Sequence, residues 1–183
     1  MGNALRAAVG GALMLSAATL FAFDEPRGES GWYAGAGARV LKLDGWQEGY
    51  GPSVLFGWKL PYQHADTPRS TIALEGEFAG TTESLSRRSG DGREEADVVQ
   101  AGAYLALNTF LGERFFHRVR LGVVARELDR PDSTRLQGRL AFGLGAGVRL
   151  GDSLDLLVDA QTQYWSWPDN LLHEAGVTAR WHF

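Results

Sequence analysis

Four histidines and no cysteine set the chemical means of this 183-residue chain. Without cysteine there is no thiol nucleophile, no thiolate metal site and no disulfide framework. Covalent chemistry would then need a hydroxyl nucleophile, a histidine base and an orienting carboxylate within hydrogen-bond reach. The histidine neighbourhoods do not spell such a set. His64 is followed by Ala65 and Asp66, His117 by Arg118 and Val119, His173 by Glu174 and Ala175, and His182 by Phe183. His173 is the best placed of the four, with Ser166 and Asp169 shortly before it. The histidines are too scattered to form a metal-ligand pair, and no residue pattern points to a cofactor. The net charge of −4 gives no basis for nucleic acid as a partner.

The other chemical resource is charge that recurs inside apolar stretches. Residues 171–183 show how. Leu171, Ala175, Val177, Ala179, Trp181 and Phe183 share one parity, while Leu172, Glu174, Gly176, Thr178, Arg180 and His182 share the other. A period of two is a strand with one apolar and one polar face. Seven earlier segments repeat it, at about 32–43, 49–59, 71–80, 97–108, 115–127, 136–150 and 154–165. The clearest sets Leu136, Leu140, Phe142, Leu144, Ala146, Val148 and Leu150 against Gln137, Arg139, Gly143, Gly145, Gly147 and Arg149. Ten or so residues per segment is the length a tilted membrane-crossing strand requires.

The parities decide between two barrels. A soluble, lipocalin-like barrel turns its apolar face inward and its charges outward. Here the polar parity carries Arg39, Lys59, Arg118, Arg120, Arg126, Arg139, Arg149 and Arg180, together with Glu75, Glu77, Asp155, Asp159 and Glu174. Many of these lie at mid-strand, where hydrocarbon would reject them and a confined lumen could pair them. The expectation is therefore a membrane barrel with Leu121, Val123, Leu140, Phe142, Leu144 and Val148 facing lipid. Its lumen is expected to be filled by an ion-pair network of Arg39, Glu75, Glu77, Arg120, Arg126, Arg139, Asp155, Asp159, Glu174 and Arg180. Glycines on the same face, among them Gly102, Gly122, Gly143 and Gly147, leave room for long guanidinium side chains. The carboxylates could alternatively pair as general acid and base, but counter-ions to the arginines are the plainer reading.

The ends and breaks complete the plan. Residues 1–22 read as a signal peptide, with one early cation at Arg6, an apolar run, and cleavage after Ala22 or Ala18. Residues 23–183 are then a single barrel domain. Gly151-Asp152 reads as a tight two-residue turn and 61–69 as a longer one at the periplasmic end. The breaks at 44–48, 81–95, 128–134 and 166–170 fall on the extracellular side. The 81–95 break, with Arg87, Arg88 and Arg93, is the longest and most polar, and is expected to be a mobile loop. Its arginines could meet lipopolysaccharide phosphates.

Gly143 to Tyr164, a glycine-alternating strand, a short turn and an acidic-aromatic strand, resembles the late hairpin of the OmpA/OmpX-like small barrel superfamily. Residues 32–38, Trp-Tyr-Ala-Gly-Ala-Gly-Ala, are similar to its opening strand. The resemblance implies an all-β, eight-stranded antiparallel barrel in the bacterial outer membrane, without a peptidoglycan-binding domain and without a shared activity. It also implies that Trp181 and Phe183 act as the assembly signal read by the barrel assembly machinery. Outer-membrane lipids and lipopolysaccharide are the expected partners, and the barrel is expected to be a monomer. The expected role is non-enzymatic: structural, envelope-stabilising or surface-binding. A lipid A-modifying enzyme is the first alternative, since small barrels of this kind include deacylases and palmitoyltransferases. The deacylases carry His and Ser two apart on an outward strand face, and no such pair occurs here. A narrow pore or small-solute transporter is the second alternative.

Overall fold

The computed structural model describes residues 31–60, 70–89, 92–130, 133–164 and 171–183. The signal peptide, the 61–69 connection and the 166–170 break, with Ser166 and Asp169, lie outside the described residues. Among the described residues, alternation in the sequence becomes nine strands. They are β1 (Gly31–Leu43), β2 (Gly49–Lys59), β3 (Ser70–Gly80), β4 (Leu85–Ser89), β5 (Gly92–Leu111), β6 (Phe115–Arg130), β7 (Ser133–Arg149), β8 (Leu154–Tyr164) and β9 (Leu172–His182). Eight form a closed antiparallel ring, because β1 pairs with β9 and β3 pairs with β5. The fourth strand of the ring, β5, is thus met at its start by a short additional strand, β4. Closure matters physically, since it leaves no row of unpaired backbone groups along the wall. Among the described residues, no helix is long and apolar enough to cross a membrane.

The faces follow the predicted parities. Arg120 is 1% exposed and its neighbour Leu121 is 60% exposed, so consecutive residues of β6 point to opposite sides of the wall. Val123, Leu140, Phe142 and Leu144 are exposed with Leu121, and Val148 is half-buried. Aromatics mark the two ends of this apolar belt. Trp32 and Trp58 stack with ring centroids 6.0 Å apart at the end where β1 begins and β9 finishes, the end that also carries Trp181 and, on β6, Phe115. Tyr50 and Tyr164 occupy the opposite end. Such girdles suit the two interfaces of a bilayer. Replacing Leu121 by arginine is expected to destabilise the vesicle-inserted barrel by about 2–4 kcal/mol. Urea titration measures this, and an unchanged midpoint would contradict a lipid-facing position.

Two connections differ from the sequence reading. Strands β6 and β7 continue through the 128–134 break, with Asp129 opposite Thr134 and the Thr134 hydroxyl donating to Asp129 Oδ1 at 2.9 Å. The turn after β7 spans residues 150–153 rather than two residues. Leu150 N donates to Leu154 O at 2.7 Å and Gly151 takes a φ of 82°, which glycine adopts without steric cost.

The lumen glycines also have a second use. A Cβ on Gly143 would meet Arg120, and one on Gly176 would meet Arg39, as expected of room left for guanidinium chains. Gly57, by contrast, lies under the Tyr33 ring, Gly102 and Gly122 under Tyr104, and Gly147 under Phe116. Inward aromatics therefore lie flat against bare backbone, which lets them fit in a narrow barrel.

Candidate functional site: the filled lumen and its apolar cap

The lumen is built in layers by side chains from opposite strands. At its centre Arg39 of β1 and Arg120 of β6 alternate around the ring with Glu77 of β3 and Asp159 of β8. Arg39 reaches Glu77 at 2.6 Å and Asp159 at 2.7 Å, while Arg120 reaches Glu77 at 2.5 Å and Asp159 at 3.6 Å. Each cation thus meets both anions, which braces four strands against one another. The Tyr104 ring lies 4.3 Å from the Arg120 guanidinium carbon.

Towards the end where β1 begins and β9 finishes, Arg118 pairs with Glu75, and the Tyr33 hydroxyl donates to the same carboxylate at 2.6 Å. Below them Asp155 accepts from Arg180 at 2.6 Å, from Arg149 at 3.1 Å and meets His182 Nε2 at 2.7 Å. Arg180 also lies over the Tyr33 and Phe116 rings. These groups are nearly devoid of solvent. A buried ion pair adds little net stability, but losing one partner strands the other charge.

Above the central quartet the expected pairing fails. Glu174 meets three glutamine amides rather than a guanidinium: Gln100 at 2.8 Å, Gln161 at 2.9 Å, and Gln163. Arg126 and Arg139 meet no carboxylate among the described residues, and both donate to Gln137 Oε1. The physical reason lies in register. Arg126 stands opposite Gln137 and Gln100, so amides occupy the positions from which a carboxylate would reach it. The carboxylates of the lower layers are held as ion-pair partners.

The top of the lumen is apolar, contrary to a polar face running its whole length. Leu41, Leu43, Trp46, Leu85, Ala96, Val98, Leu128 and Leu172 form one buried cluster. They come from β1, β4, β5, β6 and β9 and from the β1–β2 turn, so the cluster crosses the mouth. The 81–95 segment supplies Leu85 through a paired hairpin, which corrects its reading as a mobile loop. Arg87 and Glu94 stand opposite each other and pair at 2.7 Å, and Arg87 lies 4.7 Å from the Trp46 ring. Gln47 N donates to Ser86 O at 2.6 Å and Tyr50 N to Glu83 O at 3.1 Å, so the hairpin is stitched to the β1–β2 turn.

On the outer face near the same end, Thr162 Oγ1 lies 3.0 Å from His173 Nδ1. The register sets Lys42 across from His173, with Lys42 donating to Glu48 at 2.6 Å. This hydrogen bond holds the Glu48 carboxyl below its ordinary range. A hydroxyl beside an imidazole is half of a nucleophilic set, and among the described residues no carboxylate orients the ring. Among those residues no group of three ligands could hold a metal. A shallow outer depression of about 500 Å³ is lined by Ala38, Val158, Ala175 and Val177, all part of the apolar belt.

Sequence reasoning named Arg118 on the polar face but left it out of the network, together with Tyr33, Tyr104, Gln100, Gln161, Gln163 and His182. Their common parity with the arginines was the available signal. Trp181 is exposed on the outer face, and Phe183 N donates to Trp32 O at 3.0 Å across the β1–β9 seam.

No protein-family description matches the chain. No curated protein matches it either. Solved structures do. Ail, the attachment invasion locus protein of Yersinia pestis, is 16% identical, with 86% of this chain and 100% of Ail covered and a TM-score of 0.53. Neisserial surface protein A is 14% identical, with 84% and 99% covered and a TM-score of 0.55. The outer membrane enzyme PagL is 12% identical, with 80% and 97% covered and a TM-score of 0.50. At such identities the likeness is one of fold.

Proposed function

We propose that this chain, whose fold is that of the small bacterial outer-membrane β-barrels, is a non-enzymatic envelope protein that stabilises the membrane and binds at its surface. The observation that carries this reading is the filling of the lumen. The Arg39–Glu77–Arg120–Asp159 quartet occupies its centre and the Trp46–Leu85 cluster closes its mouth. A barrel filled in this way has its outer wall and its hairpins left for function. The wall is a continuous apolar belt for outer-membrane lipid, and the β4–β5 hairpin presents Arg88 and Arg93 for lipopolysaccharide phosphates. Ail, a barrel of similar fold, has been crystallised with the heparin analogue sucrose octasulfate.

The test is electrical. Purified protein in planar bilayers is expected to give no steady large conductance, and such a conductance would favour the pore reading. The Thr162–His173 contact supports a lipid-modifying enzyme as the second reading. That reading needs a carboxylate to complete the set.

A further inference from the structure

The distribution of charge along the lumen is uneven. In the lower and central layers four guanidiniums, Arg39, Arg118, Arg120 and Arg180, face four carboxylates, Glu75, Glu77, Asp155 and Asp159. Arg149 joins Asp155 from the partly solvated rim. In the upper layer Arg126 and Arg139 face only Glu174, and the oxygens of Glu174 are engaged by Gln100, Gln161 and Gln163. One positive charge is left over, inside the wall and beneath an apolar cap.

The two arginines converge. Arg126 Nη2 lies 3.1 Å and Arg139 Nη2 2.5 Å from the same atom, Gln137 Oε1. Arg126 is 2% exposed and Arg139 7% exposed. A guanidinium has five N–H donors and no acceptor, so a neutral amide oxygen shared between two of them satisfies little of either. Like charges at this separation in a confined space repel, and an anion between them reverses the sign of the interaction. We infer that Arg126 and Arg139 hold one small free oxyanion, of the phosphate, sulfate or carboxylate class, in the upper lumen. The planar forks of two arginines match the oxygen spacing of such an anion.

Access comes from the β6–β7 side. There, among the described residues, the apolar cluster includes no residue of β7, the inward Gln137 is half-buried, and Arg139 is less covered than Arg126. Elsewhere the mouth is covered by apolar side chains, which an anion does not cross. A phosphate carried on a lipid headgroup is held by its acyl chains outside the wall, whereas both guanidiniums are on the inner face. The occupant is therefore a free anion.

The experiment uses the full chain refolded from urea into an uncharged detergent in chloride buffer, so that no oxyanion is present at the start. Inorganic phosphate is titrated at constant ionic strength and followed by calorimetry. Wild type is expected to bind one phosphate saturably, with affinity reduced about tenfold or more in Arg126→Gln and Arg139→Gln. Arg114→Gln, on the exposed turn between β5 and β6 at the other end of the barrel, is expected to bind as wild type does. Where glutamine prevents refolding, Arg126→Lys is read instead, because it keeps the charge and loses the fork. Absence of saturable binding to wild type, or equal affinity in the Arg126 and Arg139 variants, would overturn the inference.

Discussion

Asp155→Ala is expected to lower the stability of the folded barrel by about 3–5 kcal/mol, the usual cost of removing one member of a buried ion pair. Asp155 is fully buried and gathers Arg180, Arg149 and His182 on a single carboxylate. Arg149 reaches solvent at the rim and can rehydrate. Arg180, at 2% exposed and lying between the Tyr33 and Phe116 rings, cannot. Its charge would be left without a carboxylate. Asp155→Asn keeps the volume and an acceptor and should cost less. A double change to Asp155→Leu and Arg180→Met removes both charges and should recover most of the loss. Reversible urea unfolding in phospholipid vesicles, followed by tryptophan fluorescence, measures all three. An alanine variant within about 1 kcal/mol of wild type would show that water already shields Arg180.

Trp46→Ala is expected to undock the β4–β5 hairpin while leaving the ring intact. Trp46 is 3% exposed and is the largest side chain in the apolar cap, with Leu85 and Leu128 among its partners in that cluster. Truncating a buried tryptophan costs about 3–5 kcal/mol. The ring is held by its own strand ladders, so the loss falls on the hairpin, which also forfeits the stacking of Arg87. Trypsin reports it directly, because Arg87, Arg88 and Arg93 all lie in the hairpin. The variant should be cut there much faster than wild type, with the remaining barrel still showing heat-modifiable gel mobility. Equal cleavage rates would mean that the hairpin stands without the cap.

The wall was legible in the sequence because a membrane barrel obeys one rule along every strand. Lipid rejects charge and the lumen accepts it, so the parity of Arg120 and Leu121 alone orients β6. Strand β4 was not legible for the opposite reason. Its arginines and the glutamates of β5 look like a solvated loop, and only the cross-strand pairing of Arg87 with Glu94 turns that composition into a hairpin. Ser89-Gly90-Asp91-Gly92 was the turn signal that could have revealed it. The cap was hidden because Leu41, Leu43, Leu128 and Leu172 lie on the polar parity, where apolar residues look like exceptions until the strands are closed into a ring. Which arginine meets which carboxylate was also out of reach. Partners such as Arg39 and Asp159 stand on strands that do not pair with each other, with β9 between them, and the shear of the barrel sets their height.

The β1–β9 seam has a consequence for how the molecule comes into being. Tyr33 pairs with His182 and Leu43 with Leu172, and Arg39 and Asp159 are separated by 120 positions along the chain. Hairpins such as β6–β7 can zip locally, but pairings this distant are slow, because chain entropy is spent before the contacts return it. Until the seam shuts, the Arg39–Asp159 contact, the one side of the quartet that spans it, cannot form, and water serves both groups in its place. Shutting the seam dries them together. Closure of the seam is therefore the step that completes the quartet, and a half-closed barrel still has this contact open to water.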